Sequence, residues 1–167
     1  MKNLKSYVIF GTIFVSFLGT LAHFLYSWSG ENPIVGLFTS TNESTWEHMK
    51  LIFFPIIIYS HFMNKSLKPQ HPNVTSALYF SIILGTCLIP VIFYTYSGIL
   101  GFNLPVLDIS TFFISVIISF VSVYKSTLSG RWEKYKTLLF VIVSLFFISF
   151  LFFTIYPPNL GIFISPI

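Results

Sequence analysis

Long runs without a formal charge restrict this chain more than any motif. Residues 7–26, 77–96 and 137–155 each hold about twenty positions with no Asp, Glu, Lys or Arg. At 1.5 Å rise per residue such a run makes a helix of about 30 Å, the thickness of a bilayer's hydrocarbon core. Two shorter apolar runs, 51–63 and 109–124, repeat the pattern. None alternates apolar and polar residues at every second position, as the strands of a membrane barrel do. The expected fold is therefore all-α: an integral membrane bundle of five transmembrane helices, forming a single membrane domain over residues 1–167. The spans fall near 7–26, 45–63, 77–96, 109–124 and 137–155. Composition agrees, since 8% of the residues are charged, whereas a soluble domain carries about 25%. Cys87 is the only cysteine and sits in an apolar run. That excludes an intrachain disulfide and a multi-cysteine metal site, and leaves packing as its role.

Basic residues set an orientation. Lys2 and Lys5 precede the first run. Lys65 and Lys68 fall in the loop 64–76, and Lys125, Arg131, Lys134 and Lys136 in the loop 125–136. A cytoplasmic amino terminus puts all of these inside and leaves Lys50 as the exception. Glu31, Glu43, Glu47 and Asp108 then fall outside, with Glu133 inside. The expected carboxyl terminus is extracytoplasmic. This split accounts for the net charge of +4 without a nucleic-acid partner, and none is expected; the partner is the lipid bilayer. A competing reading takes the first run as a signal peptide cleaved after Ala22, which would leave four helices.

The stretch TNESTWEHMK (41–50) places two carboxylates, an imidazole and an ammonium beside the short run 51–63. Thirteen residues make about 20 Å of helix, too little to cross, so the helix has to borrow residues from a flank or thin the bilayer. The outer flank offers a ready helix start. Ser44-Thr45-Trp46-Glu47 fits a capping box, and Ser40-Thr41-Asn42-Glu43 fits one too. On that helix Glu43, Glu47 and Lys50 share a face, and His48 lies about 100° around. Charges at this depth have to face the bundle interior or a wet cavity. His23, near the outer end of the first span, and Asp108, a candidate cap for the fourth helix, reach the same level. His61 and His71 lie toward the other surface, so the four histidines cannot form one site.

The candidate ligand-binding cluster is therefore His23, Glu43, Glu47, His48, Lys50 and Asp108. Plainer roles stand beside it: Glu43 and Glu47 as helix-start acids, Glu47 with Lys50 as an ion pair, and His23 as a hydrogen-bonded interior residue. His23, Glu47 and His48 are candidate ligands for a divalent metal such as zinc, iron or manganese. No HExxH or repeated ExxH spacing supports it. The apolar segment 33–38 and the tail 156–167 are expected to roof the cluster. Thr111, Ser115, Ser119 and Ser122 form a small-residue face suited to a homo-oligomer or membrane partner.

HFLYSWSGENPIVGLF, NESTWEHMKLIFFP and the terminal YPPNLGIF resemble a family of small polytopic membrane proteins of unknown function from low-GC Gram-positive bacteria. The resemblance spans nearly the whole chain. It implies a bacterial plasma membrane and no assigned activity. It carries over His23, Trp28, Glu43, Trp46, Glu47, His48, Lys50, Pro157 and Pro158 as positions without known roles. The ending Ile164-Ser165-Pro166-Ile167 departs from the family's pattern, in which an aspartate and a short tail follow the final Phe. Three functions remain open: a ligand- or ion-binding membrane protein, a metal-assisted enzyme acting on an extracytoplasmic or lipid-linked substrate, and a non-catalytic accessory or assembly subunit.

Overall fold

The computed structural model describes residues 3–166; Lys2 and Ile167, named above, lie outside the described residues. It is all-helical, with no strand among the described residues. In chain order the helices are α1 (Leu4–Trp28), a single turn α2 (Pro33–Gly36), α3 (Thr45–Leu67), α4 (Val74–Leu100), α5 (Pro105–Ser129) and α6 (Lys136–Ile155). Short 3-10 turns cover Glu133–Tyr135 and Gly161–Phe163.

Local chemistry explains the helix ends. Asn3 caps α1 by accepting from the Lys5 amide at 3.0 Å. Pro105, whose missing amide proton is needed least in a first turn, opens α5. Gly101 and Gly130 close α4 and α5 in the left-handed region, at φ 78° and 64°.

Side-chain contacts show the up-and-down path. The Tyr59 hydroxyl donates to the Tyr7 carbonyl while His23 meets His48, so α1 and α3 run antiparallel. The Thr75 hydroxyl donates to Asn64, joining the start of α4 to the end of α3. Tyr96 bonds Asp108, joining the end of α4 to the start of α5. One end of the bundle thus gathers His23, Glu43, Glu47, His48, Lys50 and Asp108. The other gathers Lys5, Lys65, Lys68, Lys125, Arg131, Lys134 and Lys136.

Helix α3 runs through the centre, with Ile52, Phe53 and Met63 fully buried. It contacts α1, α4 and α5. α6 is joined to it by rings: Phe53 against Phe146 and Phe150, and Phe54 against Phe147. At 23 residues α3 is about 35 Å long, so the flank 45–50 is helical as expected. The five apolar runs are all helical, yet among the described residues only four segments are long and apolar enough to cross a membrane: α1, α4, α5 and Glu133–Ile155. α3 is not among them, because His48, Lys50, His61 and Lys65 dilute its apolar content. It is the most enclosed long helix instead.

Among the close approaches that depend on glycine, two bear on the site and on the small-residue face. A methyl on Gly19 of α1 would meet the Leu51 carbonyl oxygen at 2.4 Å, and one on Gly85 of α4 would meet the Ser119 hydroxyl at 2.0 Å. The second contact corrects the expectation for the small-residue face. Thr111, Ser115 and Ser119 are buried within this chain, and Ser119 lies where α5 meets α4. Small side chains there let two helices of one molecule come together, so three of the four are not presented to a partner. Ser122 is half-buried. The junction after Ala22, the cleavage point of the competing signal-peptide reading, falls inside continuous α1, where Ala22 is buried.

Candidate functional site

The amino-terminal turn of α3 sorts its charged residues by direction. Ser44 is the N-cap, and its hydroxyl accepts from the Glu47 amide at 3.4 Å. The reciprocal half of the capping box does not form: the Ser44 amide is taken by the Asn42 side chain at 2.8 Å. Glu47 turns instead to Thr41, accepting from its amide and its hydroxyl, both at 2.9 Å. Glu43 precedes the helix, so it does not share a helical face with Glu47 and Lys50.

Glu47 and Lys50 form a closed ion pair. Lys50 Nζ lies 2.6 Å from Glu47 Oε2, with side-chain exposures of 0% and 3%. The same ammonium donates to the Gly36 carbonyl at 2.7 Å and to the Thr154 hydroxyl at 2.9 Å. All three of its protons are used. α2, which supplies Gly36, and α6, which supplies Thr154, therefore cover this pair. The tail contributes through Phe163, packed on Trp46 with ring centroids 4.8 Å apart.

The imidazoles make a different group. His48 Nδ1 donates to the Ser44 carbonyl at 2.9 Å, which leaves Nε2 to face His23 Nε2 at 3.3 Å. A Glu43 oxygen, on a side chain 64% exposed, lies 3.4 Å from His48 Nε2 and 3.5 Å from His23 Nε2. These donor atoms form a near-equilateral triangle, and the three residues can offer one ligand atom each to an ion. Hydrogen bonding from His48 holds the Glu43 carboxyl below the usual carboxylate range; partial burial opposes that, and the nearby charges of His48 and His23 assist it.

The expected metal set of His23, Glu47 and His48 is thus rearranged. Glu47 is committed to Lys50 and Thr41, and Glu43 stands beside the imidazoles in its place. A tetrahedral ion with bonds of about 2.0–2.2 Å separates its ligands by about 3.3–3.6 Å, and octahedral neighbours lie closer, at about 2.8–3.1 Å. The observed edges match the tetrahedral case. The Ser44 carbonyl on His48 Nδ1 is the kind of outer partner that would orient the ring and leave Nε2 toward an ion.

This triad borders a cavity of about 500 Å³ among α1, α3, α4 and α5. Asp108 borders it too, in the first turn of α5; the N-cap is Leu104. Asp108 accepts from the Tyr96 hydroxyl and from the Asn103 amide, so it is an anchored acid and not a cap. His61 lies against a second cavity of about 500 Å³ between α3, α4 and α6. Gly36, Thr41, Tyr96, Asn103 and Thr154 were not singled out in the sequence. Two carried a signal: Gly36, as part of the apolar segment expected to roof the cluster, and Thr41, as part of the second capping pattern.

Four helices of crossing length and apolarity, one end basic and the other bearing a sealed ion pair and an open imidazole–carboxylate triad, define a multi-pass helical membrane protein. The chain belongs to the family of unknown function DUF6512, which matches residues 1–167. No curated protein and no solved structure matches it. Function has to be drawn from the site.

Proposed function

We propose that this chain is a metal-binding protein of a bacterial plasma membrane. It holds one divalent transition ion, of zinc type, between His23 Nε2, His48 Nε2 and a Glu43 oxygen. In this reading α3 crosses with the four apolar helices, the amino terminus is cytoplasmic and the site faces outward. The gathering of basic side chains at the opposite end supports that orientation. The observation that carries the metal is the triangle of donor atoms, with edges of 3.3, 3.4 and 3.5 Å, the spacing of three corners of a tetrahedron.

Three protein ligands leave a fourth position, and the triad borders the cavity. That favours an enzymatic role over a purely structural ion, because structural zinc sites are closed by four protein ligands. An ion held this way would polarise a bound oxygen or lower the pKa of a bound water. Asp108 is the acid on the cavity wall that could accept a proton.

Elemental analysis of purified protein beside a His23→Ala/His48→Ala variant tests the metal. About one zinc per chain is expected in the parent and a negligible amount in the variant. Equal, negligible metal in both sinks the reading.

A further inference from the structure

The cavity beside the triad is larger than an ion needs. Its volume of about 500 Å³ falls in the range of small-molecule pockets, about 300–1,000 Å³. A water takes about 30 Å³. Its chemistry is graded from one end to the other. The triad, Asp108 and Asn103 lie where α1 ends and where α3 and α5 begin, whereas Gly19, Leu51, Ile89 and Phe112 line the deeper part. On α5 the lining runs from Pro105 to Phe113, about 12 Å of helix. One wall reaches the outside of the bundle: Phe24, Ile109 and Phe113 line the cavity yet are 46%, 59% and 38% exposed. In a spanning bundle that exterior is acyl chain.

Charge selects the head group. A divalent ion, Glu43 and Asp108 sum to zero, and no Lys or Arg lines the cavity. A phosphate or carboxylate would find no cation besides the ion and would face Asp108. A neutral oxygen donor suits the balance. A compact apolar floor joined to a polar mouth takes one chain and one small head.

We propose, resting on the metal reading, that this cavity binds a neutral single-chain amphiphile. Its chain passes between α1 and α5, and its ester, amide or hydroxyl oxygen meets the open position of the ion.

The test uses the full chain in lipid nanodiscs, loaded with zinc, and a monoacylglycerol bearing a photoactivatable diazirine in its chain. Irradiation and peptide mapping are expected to place label on residues 19–24 and 105–113. Unlabelled monoacylglycerol should compete at about tenfold lower concentration than palmitate or a lysophosphatidate. Ile89→Trp fills the floor from α4, and Thr20→Trp narrows the wall from an exposed position on α1. Each should cut site labelling about fivefold while zinc content stays at the parent value, which also reports that the variant is folded. Label spread evenly over the lipid-facing helices, no effect of either variant that keeps its zinc, or stronger competition by the anionic amphiphiles each overturns the proposal. Zinc is measured on the same samples. Its absence from the parent fails the metal reading and the ion contact together, whereas full zinc with unselective label fails the amphiphile alone.

Discussion

Glu47 and His48 are neighbours in sequence, yet they belong to regions with opposite physics. Glu47 points into a sealed compartment where Lys50, Thr41 and Thr154 surround it. His48, about 100° further round the helix, points toward a cavity and toward donor atoms that only approach one another. In the first region the carboxylate and the ammonium are both fully engaged, so the pair can do little but hold. In the second, two imidazole nitrogens and a carboxylate oxygen converge within 3.3–3.5 Å of one another beside a cavity, so it is the region left open to a ligand. Charge count alone does not separate the two. Saturation of hydrogen bonds does.

The comparison breaks most visibly at Lys50. Lys50→Met leaves Glu47 buried without its counter-charge and the Gly36 carbonyl without its donor. We expect a loss of about 3–5 kcal/mol, read by unfolding in detergent. Adding Glu47→Leu should recover a large part of it. A single-variant cost under about 1 kcal/mol would mean the compartment is wet.

A smaller effect tests whether the sealed region positions the open one. Glu47 grips Thr41, two residues before Glu43, so Thr41→Val removes the hydroxyl half of that grip and keeps the side chain's shape. Zinc affinity should fall about tenfold, as for loss of an outer-shell contact, with all three ligands intact. An unchanged titration curve would uncouple the regions.

The smallest expected change comes from Ser44→Ala. It removes the cap hydroxyl but keeps the carbonyl that His48 Nδ1 binds. Stability should drop by about 0.5–1 kcal/mol in unfolding experiments while zinc affinity stays within about threefold. A large affinity loss would show that His48 depends on the cap and not on the carbonyl.

The apolar runs made the helices legible, because an uncharged twenty-residue stretch has one stable form in lipid. The role of α3 was harder to see: its polar content reads as a weak span, and its central position depends on four other helices. At the site, periodicity placed Glu47 and Lys50 within reach, since three residues apart means the same side of a helix. It misplaced Glu43, which lies in a loop whose path is set by contacts among Ser40, Thr41, Asn42 and Glu47. The capping pattern sent Glu47 back toward Ser44, but Asn42 had already taken that amide. Thr154, 104 residues from Lys50, gives no local sign at all. Thr111, Ser115 and Ser119 were recognised as a contact face, but sequence spacing does not say whether the opposite surface belongs to the same molecule.

Gly19 carries no chemistry, yet it acts as the calliper of the imidazole pair. It stands one turn below His23, where α1 passes against the Leu51 carbonyl. Any side chain there would lever α1 outward and widen the bite between the two Nε2 atoms. In the proposed site, the fit of an ion would thus be gauged by the absence of a single methyl group.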